Sequence, residues 1–293
     1  IDRSVGIEHM TKYDQIALPL PRGSRDKDTV IGVRRPYKKR GRAGGRRSSF
    51  PGTILYEGPS MLTGDPIVVI MSFESGNRKT DDIPQVWIIR SDMHPSDARR
   101  TGMDRAICGG CELGQNLGCY VPLDVVSSVW RAYGNGSYTP WEDHGERLFR
   151  KQAPRTVRIG AYGDPVAVPM SVWRRLKQAM KRTDRLLSYT HQWRLPQADE
   201  YKSFCMASVD SPAEGRLARS MGWRTFRITL PGKLDLAREQ IGCPYANNQE
   251  ITCKRCRLCA GTDVKAKSIA AEAHGHATAL RAVLKLLNRK DQE

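Results

Sequence analysis

This chain lacks the long apolar run of a membrane span. Its longest purely apolar stretch is Ile67–Met71, against the roughly 18 residues a bilayer requires. The first ten residues lack the apolar segment of a secretory leader. The expected compartment is therefore a reducing cytoplasm, where disulfides are the weaker reading of cysteines. Several catalytic signatures are also missing. There is no G-x-x-x-x-G-K-[ST] loop, no G-x-G-x-x-G opening a helix after a strand, no G-x-S-x-G elbow and no H-E-x-x-H helix. These absences disfavour ATPase, Rossmann oxidoreductase, α/β-hydrolase and zincin chemistry. The C-x3-C-x2-C spacing of radical S-adenosylmethionine enzymes is absent too, which argues against that chemistry. No internal repeat is visible.

Acidic residues are in deficit. Against 48 Lys and Arg stand 31 Asp and Glu, a formal charge of +17. Between residues 34 and 47 there is no acid at all, and Arg34, Arg35, Lys38, Lys39, Arg40, Arg42, Arg46 and Arg47 follow one another closely. Such a charge points to a polyanionic partner, first of all nucleic acid, DNA or RNA. Residues 1–50 read as a flexible basic arm that grips phosphates, because they are polar and show no sustained apolar period.

Beyond residue 50 the pattern is that of an α/β protein. Strands are expected over 53–56, 66–73 and 85–90, and a helix over 121–133 with Val125, Val129 and Trp130 inward. Strand, helix and strand then alternate: 156–162, helix 171–181, 185–189, 201–209, helix 211–221, 223–229. This alternation predicts parallel βα units, closing into a complete or partial TIM-like barrel or lying as an open sheet. Ser211-Pro212-Ala213-Glu214 is a good helix start. The expected organisation is an arm (1–50), an α/β core (51–240) holding a cysteine loop at 108–119, and a cysteine-rich segment ending in a helix over 277–289 (241–293).

Seven of the eight cysteines form two clusters. The later one is Cys243-Pro244 with Cys253, Cys256 and Cys259 in C-x2-C-x2-C spacing. Thiolates two residues apart in a tight turn can point at one metal, and a triplet with a remote Cys-Pro resembles the ligand pattern of bacterial ferredoxins, although here the Cys-Pro precedes the triplet. The expected cofactor is an iron–sulfur cluster of the [4Fe–4S] type, with zinc as the alternative, held by four thiolates or by three with His274 or His276. The central cluster, Cys108, Cys111 and Cys119, offers three thiolates, with Cys205, His94 or solvent as a fourth donor. The two clusters could also be one site. Cys205 reads as a small buried core residue.

Ligands of α/β folds sit at the C-terminal ends of parallel strands. Those ends carry Asp164, His191 and Asp210, groups suited to proton transfer or nucleophilic attack. Tyr162, Tyr189 and Trp193 could stack an extruded base. The plainer reading is that Asp164 shapes a turn, Asp210 supports a helix start and His191 is structural.

The blocks ILYEGPSML, QVWIIRSDMHP, CGGC, RIGAYGDP, SYTHQW, CMASVDS and GWRTFRI, with the terminal Cys-Pro and three cysteines, resemble a cysteine-rich protein group of bacteriophages and mobile elements. The resemblance covers about residues 51–275 and implies the cytoplasm of a bacterial host, with no activity attached. A weaker similarity is to tRNA-guanine transglycosylases and their phage DNA-modifying relatives. It implies an α/β barrel with Asp164 and Asp210 as catalytic aspartates, and zinc on Cys253, Cys256, Cys259 and His274. The cysteine spacing departs from that family's C-x-C-x2-C, and its Ser-Gly-Gly loop is missing. The expected function is a metal- or iron–sulfur-containing protein that modifies or excises a base in nucleic acid. The alternatives are a nucleic-acid-binding protein with structural metals, or an iron–sulfur redox protein.

Overall fold

The structure, a computed structural model, describes residues 52–115, 118–273 and 277–290. The basic arm, His274 and His276 lie outside the described residues. Strands β1 (Gly52–Pro59), β2 (Pro66–Ser72) and β3 (Gln85–Arg90) form an antiparallel meander. The two-residue strand β4 (Thr139–Pro140) runs parallel to β1 at its outer edge. Strands β5 (Thr156–Tyr162), β6 (Arg185–Thr190), β7 (Cys205–Val209) and β8 (Thr225–Thr229) then lie side by side and parallel, as the βα alternation predicts. The segment after residue 240, read as a loop and a helix, supplies two more strands, β9 (Gln240–Gly242) and β10 (Ser268–Glu272).

The sheet has ten strands in the order β4-β1-β2-β3-β5-β6-β7-β8-β10-β9. Among the described residues no ladder joins β9 to β4. The β2 run Ile67–Met71 is fully buried, the expected fate of an apolar run with sheet on both edges. No described helix is long and apolar enough to cross a membrane.

Three expectations need correction. Pro196–Ser203 is a 3-10 helix, so the strand expected from residue 201 begins at Cys205. The Tyr201 hydroxyl donates to Val168 O at 2.7 Å, which holds that turn on the core. The helix Leu123–Gly134 buries Val126 and Val129 and leaves Val125 42 % exposed. Its apolar stripe is thus rotated by one residue from the one expected. Finally, helix Met170–Gln178 ends three residues early and turns Trp173 inward with Val172 and Leu176. The terminal helix Ala277–Lys290 packs through Leu280, Val283, Leu284 and Leu287 as its pattern predicts.

Candidate functional site

The C-terminal ends of β5, β6 and β7 lie side by side, and the groove over them is called the mouth below. After β5, Gly163 adopts φ +81, and a Cβ there would come within 2.7 Å of Ile88. Only glycine fits, and the tight turn brings Asp164 under the end of β6. The Asp164 carboxylate accepts from Val166 N at 3.0 Å, Thr190 Oγ1 at 2.8 Å and His191 N at 2.9 Å. It therefore shapes the turn, as the plainer reading has it, and also fixes the backbone of His191. Burial pushes its carboxyl up, opposed by these donors and by the His191 ring.

The central cysteine loop closes on the same place. Asp164 N donates to Ile107 O at 2.6 Å, and Cys111 N donates to Cys108 O at 3.2 Å. Gln192 spans the gap: its Nε2 donates to Cys108 O at 3.0 Å and its Oε1 accepts from Gly110 N at 3.3 Å. A Cβ on Gly109 would meet the Gln192 side chain at 2.5 Å, so the first glycine of Cys-Gly-Gly-Cys is what lets Gln192 dock.

The electrostatics tie these groups together. Burial pushes the Cys108 thiol up, as do the neighbouring Cys111, Asp104 and Cys119. Burial also raises Cys119, helped by Cys111 and Asp104. Cys111 goes the other way: burial opposes its ionisation, but the hydrogen-bonded His191 ring outweighs it and the thiol is lowered. Burial likewise opposes charge on His191, yet Cys111, Asp210 and Asp164 prevail and push it up to about 10. His191 Nε2 itself is buried without a hydrogen-bond partner.

Asp210, at the end of β7, is close enough to His191 for their charges to interact. Ser211, not Asp210, caps helix Pro212–Ser220, by accepting from Glu214 N at 3.1 Å. Asp210 lines, with Arg227, Thr229 and Lys233, a cavity of about 490 Å³. That volume lies within the roughly 300–1,000 Å³ of small-molecule sites. Asp164, His191 and Asp210, singled out on sequence, are thus brought together.

The aromatic expectation is corrected. Tyr162 and Trp193 are 3 % and 1 % exposed, and the Trp193 Nε1 donates to Ser208 O at 3.0 Å. Tyr189 packs its ring on Phe226 at 4.6 Å. Tyr162 and Trp193 are committed to the core and leave no free face for a base, while the half-buried Tyr189 lines the hollow of the later cysteine cluster. The suggested fourth donors for the central cluster also lie elsewhere. His94 caps helix Pro95–Thr101 and stands edge-on to Trp130 at 5.1 Å, and Cys205 is fully buried beside Ser188.

The later cluster is a separate place. Cys253–Cys256 is one helical turn, ended by Arg257 at φ +58. Cys259 O accepts from Ser188 N at 3.1 Å, which lays the loop along the first half of β6. Arg224 straps it, donating to Leu258 O, Gly261 O, Ala266 O and Lys267 O at 2.6–2.9 Å. Cys243, Cys253, Cys256 and Cys259 share the wall of a hollow of about 20 Å³ with Tyr189, Phe226 and Ile269. Burial and the three other thiols push Cys259 up to about 12, against a hydrogen bond from Tyr189. No thiol of one cluster figures among the charges acting on the other, so the alternative of one merged site is corrected to two. Among the described residues, no three His, Cys, Asp or Glu side chains are already disposed so that they could hold a metal ion. The thiols are neighbours without being a closed coordination shell.

Sequence reasoning missed Gln192, Asp104 and Arg224. Gln192 carries a signal only in hindsight, as the residue next to His191. Comparison with protein-family models, curated proteins and solved structures found no match for this chain.

Proposed function

We propose that this chain is a metal–thiolate protein that acts on nucleic acid, with its chemistry at the mouth formed by the ends of β5, β6 and β7. The observation that carries the reading is the closure of the Cys108–Cys119 loop onto Asp164 and His191 through Gln192. A loop whose only task was to be a turn has no need of three clustered thiols beside two buried carboxylates. Asp210 is the reacting carboxylate in this reading, because the residue lines the cavity and its side chain does no capping. Asp164 is a positioning residue, since all its oxygens' partners are backbone and Thr190. The reaction class is base modification or excision, in a partial barrel with its mouth at the strand ends. The later cluster supplies a thiolate-held metal, iron–sulfur or zinc, that braces the fold.

The nucleic-acid part rests on the charge of +17 and on the basic run from Arg34 to Arg47. The test has two arms. Protein purified without oxygen is assayed for iron, zinc and acid-labile sulfide; a chain free of all three sinks the metal reading. Binding to DNA and RNA oligonucleotides is then followed against salt. Each phosphate neutralised steepens the log–log slope by about 0.7–0.9, so a flat slope sinks the polyanion reading.

A further inference from the structure

We propose that Cys108, Cys111, Cys119 and His191 form a second metal site, a three-thiolate, one-imidazole centre for a single thiophilic divalent ion. It rests on the metal reading above and deepens it, because it makes His191 a ligand and not a proton-transfer base. The placement comes first. Gln192 pins the Cys-Gly-Gly-Cys turn from both sides, and the next residue back is His191. The backbone of His191 is held in turn by Asp164. The imidazole therefore reaches the Cys111 thiol from a fixed base, and Cys108 and Cys119 lie within the electrostatic reach of that same thiol. The second observation is independent. His191 Nε2 is buried without a partner, and an orphaned imidazole nitrogen among thiols is a donor atom awaiting an acceptor of its lone pair.

Charge balance points the same way. Asp104, Asp164 and Asp210 are all buried around this donor set. The cations acting on it from the neighbouring elements are few: Arg99 acts on Cys119 and Asp104, Arg105 on Asp104, and Lys290 on Asp210. A buried group of thiols and carboxylates this poor in positive charge is costly as it stands. A divalent ion bound by thiolates relieves that cost and suits the soft donors. Asp164 and Asp210 act on the His191 ring as neighbouring charges, and carboxylates commonly stand behind ligating imidazoles.

The test uses the full chain loaded with Zn²⁺ or Co²⁺ and counts metal and acid-labile sulfide. Wild type is expected to hold about two ions per chain, with no sulfide on the central one. Cys253→Ser/Cys256→Ser and His191→Ala are each expected to lose one ion, and His191→Cys to recover it. The ion of the later cluster reports folding in each central variant. If His191→Ala unfolds the chain, His191→Cys decides: two ions and a cobalt spectrum richer in thiolate support the ligand role, an unchanged spectrum overturns it. If wild type holds one ion and Cys253→Ser/Cys256→Ser abolishes it, the central site is overturned while the later one stands. If His191→Ala keeps both ions, the assignment of His191 falls and the central thiols keep their metal by other means. Sulfide accompanying the central metal overturns the single-ion assignment. A chain that binds no ion at all overturns both readings together.

Discussion

The two cysteine clusters use the same C-x2-C turn in opposite surroundings. The later one gathers four thiols against Tyr189, Phe226 and Ile269 along the first half of β6, with Arg224 strapping its loop shut. The central one gathers three thiols at the far end of the same strand, beside His191, Asp164 and Asp210. Four soft donors in an apolar wall suit a metal that braces the fold; three thiols beside an imidazole and two buried carboxylates set charge next to the strand ends. The neighbours of a thiol, more than its spacing, separate the two roles.

The largest expected effect tests that contrast directly. Cys253→Ser/Cys256→Ser should destabilise the fold by about 4 kcal/mol or more, because a structural metal contributes folding energy. At this size that is a fall in Tm of roughly 10 °C. Cys108→Ser/Cys111→Ser should cost less than half as much. Calorimetry on both variants checks it; equal losses would mean that both clusters brace the fold and the comparison collapses.

Next in size is Asp164. Replacing it by Ala leaves Val166 N, Thr190 Oγ1 and His191 N without an acceptor. Unsatisfied buried donors cost about 1–3 kcal/mol each, so a total of about 3–5 kcal/mol is expected after relaxation. Asp164→Asn keeps one acceptor oxygen and should lose about half as much. A chemical-denaturation midpoint unchanged in Asp164→Ala would show that the mouth is not held as described.

How much of this was legible follows from where the physics is local. β3 was readable to the residue because Gln85–Arg90 is dense in β-branched and aromatic side chains. Ser211 was readable as a cap because the cap bond spans three residues. The convergence of Asp164, His191 and Asp210 followed from strand order, since parallel neighbours put their C-terminal ends together. What was not legible depends on contacts distant in sequence. The Gln192–Cys108 bond joins residues 84 apart, and no pattern near residue 192 announces it. The burial of Tyr162 and Trp193 was missed for the same reason: an aromatic at a strand end reads alike whether it faces solvent or a helix beyond. Val125 and Val126 both fit a helical stripe, and only the packed neighbours choose between them.

A smaller change sharpens the link between the loop and the mouth. Gln192→Ala removes two hydrogen bonds and opens space over Gly109. About 1–2 kcal/mol should be lost, with amide exchange accelerated at Gly110 and Cys111 and unchanged along β10. Uniform protection across both regions would mean that the loop is held by something other than Gln192.

The smallest expected effects separate fold from function at adjacent residues. Ser211→Ala deletes the cap of helix Pro212–Ser220 and should cost about 1 kcal/mol, with nothing lost at the mouth. Asp210→Asn should do the reverse. Burial pushes the Asp210 carboxyl up, so its ionised form is a burden on the fold. A carboxyl whose pKa rises on folding loses stability as pH climbs from its unfolded value to its folded one, and the loss is complete above both. Asp210→Asn should therefore equal or exceed wild type in stability at neutral pH and show no gain in acid, while any activity on nucleic acid falls. Should Asp210→Asn instead destabilise the chain at neutral pH as much as Ser211→Ala does, Asp210 would be a structural carboxylate and the mouth would lose its reacting group.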